Sequence, residues 1–315
     1  MMHCAYCDAP VQPEHLEARD ADTAQQAFVI LFCGACGCGR LQDPPPDHEL
    51  ARYYEPAYYG RGTRKFLPLV QQLFDAGKRG LARSVISALE GRSVPRVLDV
   101  GCGTGQLLVE LERLGAQAVG IEREGGAARA VRPGLNIIEG DLEHQDALPG
   151  NMDAVVIWHV LEHLRDPVSA LHAAGRLLAP GGLLFLAVPN AASWQARLFG
   201  RHWFHLDLPR HLHFLTLDGL GRVLVREGFA LTRTGTVQFS QGFFGFVQSV
   251  FNAVFPGRPN RLYRLMREPL GRAGLAELVL WGLAAVALAP LALVEVLCSG
   301  LAGAGAIRII VARKA

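Results

Sequence analysis

Four histidines lie within twelve positions of this chain, in the stretch HWFHLDLPRHLHFLT at residues 202–216. They are His202, His205, His211 and His213. Imidazoles at this density can bind a metal ion, transfer protons, or tie a loop through hydrogen bonds. No HxxxH or histidine–carboxylate spacing stands on a clearly predicted helix here, so a metal site is the weakest of the three interpretations.

Five of the seven cysteines lie in the first 38 residues. Two pairs, CAYC and CGAC, place Cys4 and Cys7 ahead of Cys33 and Cys36 with residues 8–32 between them. This CxxC…CxxC spacing is typical of a zinc ion held by four thiolates, and such a closed site is structural. Zinc would fold a segment too small to fold alone. Free thiols or a partly lost ligand set are the alternative, and Cys38 could substitute for Cys36.

The N-terminal sequence MMHCAYCDAP lacks a basic segment followed by an apolar run, so we expect no secretory signal and a reducing, cytoplasmic compartment. Half of the residues are hydrophobic and 19% are charged, which predicts a folded core. The net charge of +2 gives no overall basic field for nucleic acid. Acids outnumber the two basic residues of segment 1–43, Arg19 and Arg40, which argues against RNA binding there.

A glycine-rich loop, LDVGCGTGQL at 98–107, follows the first predicted strand and opens a helix. Gly101, Gly103 and Gly105 permit a tight turn and close approach of a ligand to the backbone. A dinucleotide fingerprint would need glycine at position 106, where Gln106 stands, and Asp99 precedes the loop. The loop therefore disfavours a pyrophosphate and favours a cationic, phosphate-free ligand. An ordinary strand-to-helix turn is the plain alternative.

Short apolar runs alternate with helical patterns along the middle of the chain, which predicts a doubly wound α/β fold with a mostly parallel sheet. The predicted strands are 96–101, 117–122, 136–141, 153–160, 182–189, 230–239 and 306–315; the predicted helices include 105–114, 125–131, 167–178 and 217–227. The stiff DPPPD segment marks a break between modules. We predict a zinc-ribbon-like module at 1–43, a linker with N-terminal helices at 44–95, and a catalytic domain at 96–315.

The glycine loop with its acid resembles the first motif of the class I S-adenosylmethionine (SAM)-dependent methyltransferases. The resemblance covers residues 55–240 and the final strand, and IWHVLEH (157–163) is similar to the quinone-pathway and cell-envelope members, of the methyltransferase-23 type. It implies a Rossmann-like sheet, SAM as cofactor and methyl transfer. It also implies that the cofactor-binding residues are Asp99, Gly101, Cys102, Gly103, Gly105, Gln106, Glu122, Arg123, Asp141, Leu142 and His159.

Individual roles follow from the same resemblance. Asp99 would lie near the methionine end, Glu122 would hold the ribose hydroxyls, and Asp141 would bind the adenine amine with Leu142 beside the ring. Asp141 could instead cap a helix. We expect Cys102 to fill space and not to act as a nucleophile.

Residues 190–216 follow the fifth strand, where methyltransferases of this kind place acceptor contacts, and PRHLHFLT (209–216) resembles a recurrent segment of these families. An oxygen acceptor must lose a proton, which suits histidine. His211 and His213 are the first candidates for the catalytic base, and His159 and His163 are rivals from the loop after the fourth predicted strand. Each could equally bond backbone carbonyls and shape its loop.

Segment 240–305 is a hydrophobic insertion before the last strand. It holds an apolar, aromatic stretch at 242–255, an arginine-rich stretch at 257–272, and an unbroken apolar run at 278–294 containing Pro290. Because both flanking strands should belong to one sheet, a single membrane crossing is disfavoured. A re-entrant hairpin or helices lying in the membrane interface fits better. A helical layer that packs against the sheet or against a second subunit is the alternative.

Together these patterns predict a cytoplasmic SAM-dependent methyltransferase, peripheral at the inner membrane face. The expected acceptor is a hydrophobic or lipid-linked small molecule or a cell-envelope glycan precursor, methylated on oxygen. A methyltransferase acting on RNA or protein through the zinc ribbon, and a non-catalytic SAM-binding scaffold, are the two alternatives.

Overall fold

The computed structural model describes residues 3–10, 13–23, 25–54, 68–123, 130–142, 150–267 and 272–315. Its strands are β1 (Pro13–Arg19), β2 (Ala27–Cys33), β3 (Gly39–Leu41), β4 (Arg96–Val100), β5 (Gln117–Glu122), β6 (Ile137–Glu139), β7 (Met152–Trp158), β8 (Leu178–Pro189), β9 (His213–Phe214), β10 (Phe229–Gly235) and β11 (Ile307–Lys314). The helix predicted at 125–131 falls largely outside the described residues.

The helices alternate with these strands. They are α1 (Asp47–Leu50), α2 (Pro68–Ala88), α3 (Gln106–Arg113), α4 (Pro167–Leu177), α5 (Trp194–Phe199), α6 (Leu217–Arg226), α7 (Phe239–Val254), α8 (Arg261–Leu265) and α9 (Arg272–Leu301). Short 3₁₀ turns lie at Ala51–Tyr54, Leu161–His163, Gly200–His202 and Phe204–Leu206.

Seven strands form one sheet in the order β10-β11-β8-β7-β4-β5-β6. The pairs β4–β5, β4–β7, β5–β6 and β7–β8 are parallel. The chain runs outward from β4 in one direction and from β7 in the other, which creates a topological switch between these two strands. The predicted doubly wound, mostly parallel fold is confirmed.

The core of this sheet follows from its composition. Central strands covered on both faces should be apolar throughout, and β7 is buried along nearly its whole length. Leu81 and Val85 of α2 and Leu107 of α3 pack into the same cluster. At the start of α4, Asp166 caps the helix by accepting hydrogen bonds from Val168 N and Ser169 N.

A second, four-stranded sheet joins the cysteine-rich segment to the histidine segment. Its order is β1-β2-β3-β9, and β3 pairs antiparallel with β9, Arg40 opposite His213. Phe28 and Ile30 from β2 share one buried cluster with Trp203 and Leu212 of the histidine segment. Apolar side chains of β2 in the cysteine-rich segment therefore share a core with the histidine segment.

The hydrophobic insertion forms helices α7, α8 and α9, with a cluster of buried apolar side chains between α7 and α9. Both flanking strands, β10 and β11, belong to the seven-stranded sheet, as expected. Among the described residues, one helical stretch is long and apolar enough to cross a membrane by length and composition, at 274–301, with mean hydropathy 2.1.

By its internal contacts the chain divides into two compact units. One comprises 1–60, 188–222 and 235–309; the other comprises 61–187, 223–234 and 310–315. This division differs from the boundaries predicted from the sequence, since the first unit gathers segments distant along the chain. The domain boundaries at 43/44 and 95/96 therefore stay a prediction from the sequence.

Candidate functional site

The glycine loop lies directly after β4, at the carboxyl edge of the parallel strands. Gly101, Gly103 and Gly105 adopt positive φ angles of 67°, 58° and 76°, which favour glycine. A Cβ atom on Gly101 would meet Val160 Cγ2 at 2.5 Å, and one on Gly105 would meet Leu135 Cδ1 at 2.6 Å. At Gly103 a Cβ atom would meet no described atom within 4 Å. As far as the described residues show, the loop therefore has an open side at Gly103, where a ligand can approach the backbone.

Two buried carboxylates border this loop. Glu122, the last residue of β5, accepts hydrogen bonds from Gly103 N at 2.6 Å and from Arg123 N at 3.1 Å. Asp99 in β4 is 2% exposed, and its Oδ2 has no hydrogen-bond partner among the described residues. Burial raises the pKa of Asp99 to about 6; the Lys78 cation lowers it and the Glu122 carboxylate raises it further.

The remaining predicted acid, Asp141, lies just beyond the end of β6. Gly140 N donates to Glu122 O at 2.9 Å, which fixes the end of β6 beside the end of β5. Asp141 follows immediately and is exposed, while the Leu142 side chain is buried. Asp99, Glu122 and Asp141 therefore stand at three neighbouring strand ends, where open α/β sheets bind their ligands.

Other predicted cofactor residues differ in what they contact. Cys102 is buried, and a Cβ atom on Gly120 would lie 2.5 Å from its sulfur, so Cys102 fills the space above β5. Burial raises the pKa of the Cys102 thiol, which disfavours the thiolate. Gln106 begins α3 and donates to Glu110 Oε1 at 3.5 Å.

The loop after β7 carries two of the predicted histidines, His159 and His163. His159 has a positive φ of 58°, and its backbone N donates to Ala187 O. Its Nδ1 lies 3.6 Å from Oε1 of the buried Glu162. His163 ends the 3₁₀ turn that follows and is half-buried. Both residues lie beyond the carboxyl end of β7, on the same edge of the sheet as the glycine loop.

Four cysteine sulfurs of the N-terminal segment converge. Cys4 Sγ lies 3.7 Å from Cys36 Sγ, Cys7 Sγ lies 3.6 Å from Cys33 Sγ, and all four sulfurs lie within 4.8 Å of one another. A tetrahedron with Zn–S bonds of ~2.3 Å has sulfur–sulfur edges of ~3.8 Å. The geometry matches a closed four-thiolate site, and the cluster is consistent with the predicted zinc-ribbon-like module.

The fifth cysteine of this segment lies outside the four. Cys38 Sγ is 3.4 Å from both Oγ1 and N of Thr216. Thr216 Oγ1 in turn donates to Cys36 O at 2.7 Å. A Cβ atom on Gly219 would lie 2.3 Å from Cys38 Sγ, so only glycine fits there. Cys36, not Cys38, is the member that faces the other three cysteines, and Cys38 joins the cysteine segment to the chain after the histidines.

The four histidines of segment 202–216 have different surroundings. His205 is buried between the rings of Trp203 and Phe204. His202 is half-buried; burial, with the Arg201 cation, lowers its pKa. The His205 ring therefore contributes to packing.

His211 and His213 make more specific contacts. His211 Nδ1 lies 2.9 Å from His205 O, and because a carbonyl only accepts, Nδ1 carries the proton. When the ring is neutral, its lone pair is therefore on Nε2, which lies 3.9 Å from Asp207 Oδ2. His213 Nδ1 shares a hydrogen bond of 2.7 Å with the Tyr6 hydroxyl of the cysteine segment.

No prediction from the sequence covered Arg210, a buried arginine that lies between His205 and His211 in the chain. The Arg210 guanidinium donates to Asp22 at 2.7 and 3.2 Å, to Asp207 at 2.6 and 3.0 Å, and to Tyr53 O at 3.2 Å. These carboxylates hold the pKa of Arg210 well above its usual value despite burial. The i,i+3 spacing of Asp207 and Arg210 is a sequence signal for one of these pairs. The long-range pair with Asp22 has no such signal.

Comparison with known proteins decides the family. A model of the methyltransferase-23 family, described as a methyltransferase domain, matches residues 64–234, more than half of the chain. The chain belongs to this methyltransferase family. The match contains the glycine loop, the three acids and all four histidines of segment 202–216, whereas the cysteines of the first unit and helices α7 to α9 lie outside it.

Among curated relatives, the ubiquinone biosynthesis O-methyltransferase of Erwinia tasmaniensis is 34% identical over 128 residues, covering 38% of this chain and 53% of that protein. The protein of the same name from Alkalilimnicola ehrlichii is 34% identical over 182 residues, covering 53% of this chain and 70% of that protein. The chain thus spans about half the length of the first relative, and the match to the second supports the same family.

Solved structures resemble this methyltransferase less closely. A SAM-dependent methyltransferase from Archaeoglobus fulgidus superposes with a TM-score of 0.47 at 18% identity, covering 76% of this chain and 94% of that one. A counterpart from Mesorhizobium loti gives a TM-score of 0.46 at 18% identity, covering 75% and 100%. The family assignment rests on the sequence match.

The residues of this methyltransferase fit SAM. The Asp99 carboxylate has an unsatisfied oxygen, the loop is open at Gly103, and acids stand at three strand ends. Loop 101–105 contains no basic side chain that would bind a phosphate. A cationic ligand with a hydroxylated sugar matches this set of acceptors, as SAM does. The predictions of a class I methyltransferase family and of SAM as its cofactor are therefore supported together.

Proposed function

We propose that this chain transfers a methyl group from SAM to an oxygen of a hydrophobic, quinone-like or lipid-linked acceptor. The observation that carries the proposal is the arrangement of Asp99, Glu122 and Asp141 at neighbouring strand ends around a glycine loop open at Gly103. Family membership and relatives named for ubiquinone O-methylation support oxygen as the acceptor atom.

On the cofactor side, Glu122 would accept hydrogen bonds from the ribose hydroxyls while keeping its bond to Gly103 N. Asp141 would bind the adenine amine, and Leu142 would lie beside the ring. Asp99 would face the methionine end, where the ammonium of SAM gives its unsatisfied oxygen a cationic partner. Gly101, Gly105, Gln106, Arg123 and His159 would complete the walls.

When bound, SAM supplies a methyl group on a positively charged sulfur. The acceptor hydroxyl must lose its proton as the new oxygen–carbon bond forms, so a base helps. We propose His211 for this role, because its Nδ1–H is held by His205 O and its lone pair is on Nε2. A fixed tautomer is what a general base needs from its surroundings.

His213 and His163 remain alternative bases. The hydrogen bond from Tyr6 orients the His213 ring, and pairing of β9 with β3 fixes its backbone. These contacts suit a residue that positions the acceptor-side wall. His163 lies in the turn after β7.

The four converging cysteines are proposed to hold one structural zinc ion. Sulfur–sulfur distances of 3.6 and 3.7 Å support a tetrahedral site, and four thiolates leave no open position for catalysis. The cysteine segment shares a sheet and an apolar cluster with the histidine segment. Zinc would thus stabilise the segment that carries His211 and His213.

A label-partition assay tests the function. Purified protein, methyl-labelled SAM and fractionated bacterial extract are incubated and then extracted with organic solvent, with Glu122→Ala protein as the control. Organic-phase label that depends on Glu122 is expected. Label confined to aqueous material would refute a hydrophobic acceptor and favour RNA, protein or a soluble sugar. SAM binding without any label would refute methyl transfer and favour a scaffold.

A further inference from the structure

Helix α9 exposes a continuous apolar face. At every exposed position between 275 and 301 the side chain is apolar, and only cysteine interrupts the aliphatic residues and proline. The exposed residues are Leu275, Ala276, Val279, Leu280, Leu283, Ala284, Val286, Ala287, Pro290, Leu291, Leu293, Val294, Leu297, Cys298 and Leu301. At 100° per residue these positions sweep about half of the helix circumference over a length of about 40 Å.

The polar residues of α9 between 274 and 301 face the protein instead, apart from the exposed Cys298. Glu277 accepts hydrogen bonds from the Arg261 guanidinium and from Trp281 Nε1. Glu295 accepts from Gln195 Nε2 at 2.7 Å, and Ser299 is buried. A helix at a water-exposed surface shows the opposite arrangement, with its charges outside and its apolar stripe inside. The polarity of α9 is inverted.

The inner face of α9 is covered along its length. Near its start, the Trp281 ring packs against Phe251 of α7, with ring centres 4.7 Å apart. Near its end, Val296 lies against Gly242, the other end of α7. The helix is therefore held against α7 at both ends and does not leave the protein. One side rests on protein, and the other lacks any covering among the described residues.

The outer face suits lipid better than a protein partner. Protein interfaces carry about one hydrogen bond per 100–200 Å² and are enriched in aromatic residues and arginine. This face has roughly 650 Å² of surface, estimated from helix dimensions, and offers only aliphatic groups and one thiol. It exceeds the largest apolar patch of a typical soluble monomer.

In the compact unit that contains α9, exposed arginines lie close in sequence to exposed apolar residues. Arg197 and Arg201 flank the exposed Leu198, and Arg258 follows the exposed Phe255. Arginines next to apolar side chains match the boundary between anionic headgroups and acyl chains.

We propose that the outer face of α9 is a monotopic membrane-binding surface, immersed on one side in the interface of an anionic bilayer. Because α7 covers the opposite face, the helix lies in the membrane plane. This surface lies outside the matched family domain, and the inference does not depend on the proposed methyl transfer.

Vesicle sedimentation tests the proposal. The full chain is mixed with sucrose-loaded vesicles of phosphatidylglycerol and phosphatidylethanolamine, and with phosphatidylcholine vesicles as the neutral comparison. The variant is Leu283→Asp/Leu297→Asp, and the control is Val225→Asp on α6, where the side chain is 66% exposed. We expect the double variant to lower the partition coefficient more than tenfold, since it removes two immersed leucines and adds charge. The control should bind as wild type.

Two further measurements keep the outcomes distinct. Replacing Arg258 with glutamine should weaken binding to the anionic vesicles and leave binding to neutral vesicles unchanged. Circular dichroism and SAM affinity check that the variants are folded. Equal sedimentation of wild type and the double variant would overturn the proposal. So would a wild-type protein that ignores vesicles, or one that forms a dimer which the double variant disrupts.

Discussion

Replacing Glu122 with glutamine tests the cofactor site most directly. The carboxylate accepts from Gly103 N through one oxygen and from Arg123 N through the other, at 2.6 and 3.1 Å. Glutamine has a single acceptor oxygen, so one backbone N–H would face an amide donor. The proposed ribose contact would also lose its charge. Loss of one hydrogen bond to a charged group costs about 1.5–3 kcal/mol, or about a 10- to 150-fold rise in the Kd for SAM.

Isothermal titration calorimetry with SAM and with its demethylated product measures the change. Asp153→Asn is the matched control, because Asp153 is as buried as Glu122 and also accepts a hydrogen bond from a backbone N–H, that of Arg96 at 2.8 Å, but lies at the start of β7, away from the glycine loop. The control should bind SAM as wild type does, even if both variants lose some thermal stability. A folded Glu122→Gln protein whose Kd stays within twofold of wild type would refute the ribose assignment.

Three other outcomes are expected. Burial raises the folded-state pKa of Asp99 to about 6, above its unfolded value, so the protein loses stability as pH rises between about 4 and 6. Asp99→Asn should therefore stabilise the ligand-free protein at pH 7.5 by up to about 3 kcal/mol and have little effect at pH 4 in urea unfolding; an equal effect at both pH values contradicts this. Metal analysis should find one zinc per chain in wild type and in Cys38→Ser, and little in Cys36→Ser; equal loss in both variants would count against the four-sulfur assignment. His211→Gln should lower kcat by about 10²- to 10⁴-fold with SAM affinity retained, whereas a kcat like that of wild type would exclude it as the base.

Local chemistry made much of the cofactor side predictable from the sequence. Glycines at alternate positions directly after a buried strand predict a tight turn. Their φ angles are positive in the structure, as such a turn requires. Strand period and apolar runs placed β4, β5 and β7 within a residue or two. Since parallel strands end at one edge, the sequence predicts that Glu122 and Asp141 lie near the loop.

The contacts of the histidine segment could not be predicted in this way. Its residues contact partners far away along the chain: Tyr6 for His213, Asp22 for Arg210, and Cys38 for Thr216. Periodicity and spacing describe neighbours within a turn or a strand, and they carry no information on such long-range pairs. For this reason the sequence did not predict that the cysteine-rich segment shares a sheet with the histidine segment.

The sequence by itself determined the family, the sheet, the glycine loop and the four-cysteine spacing, because each depends on local backbone geometry or on residue types at fixed intervals. Only the tertiary structure decided which side of α9 is exposed and which tautomer His211 adopts. Those properties depend on what packs beside a residue. The 278–294 run is apolar on every side of the helix, so the sequence cannot predict which side is buried. In the structure, α7 packs against one side and the opposite side is exposed.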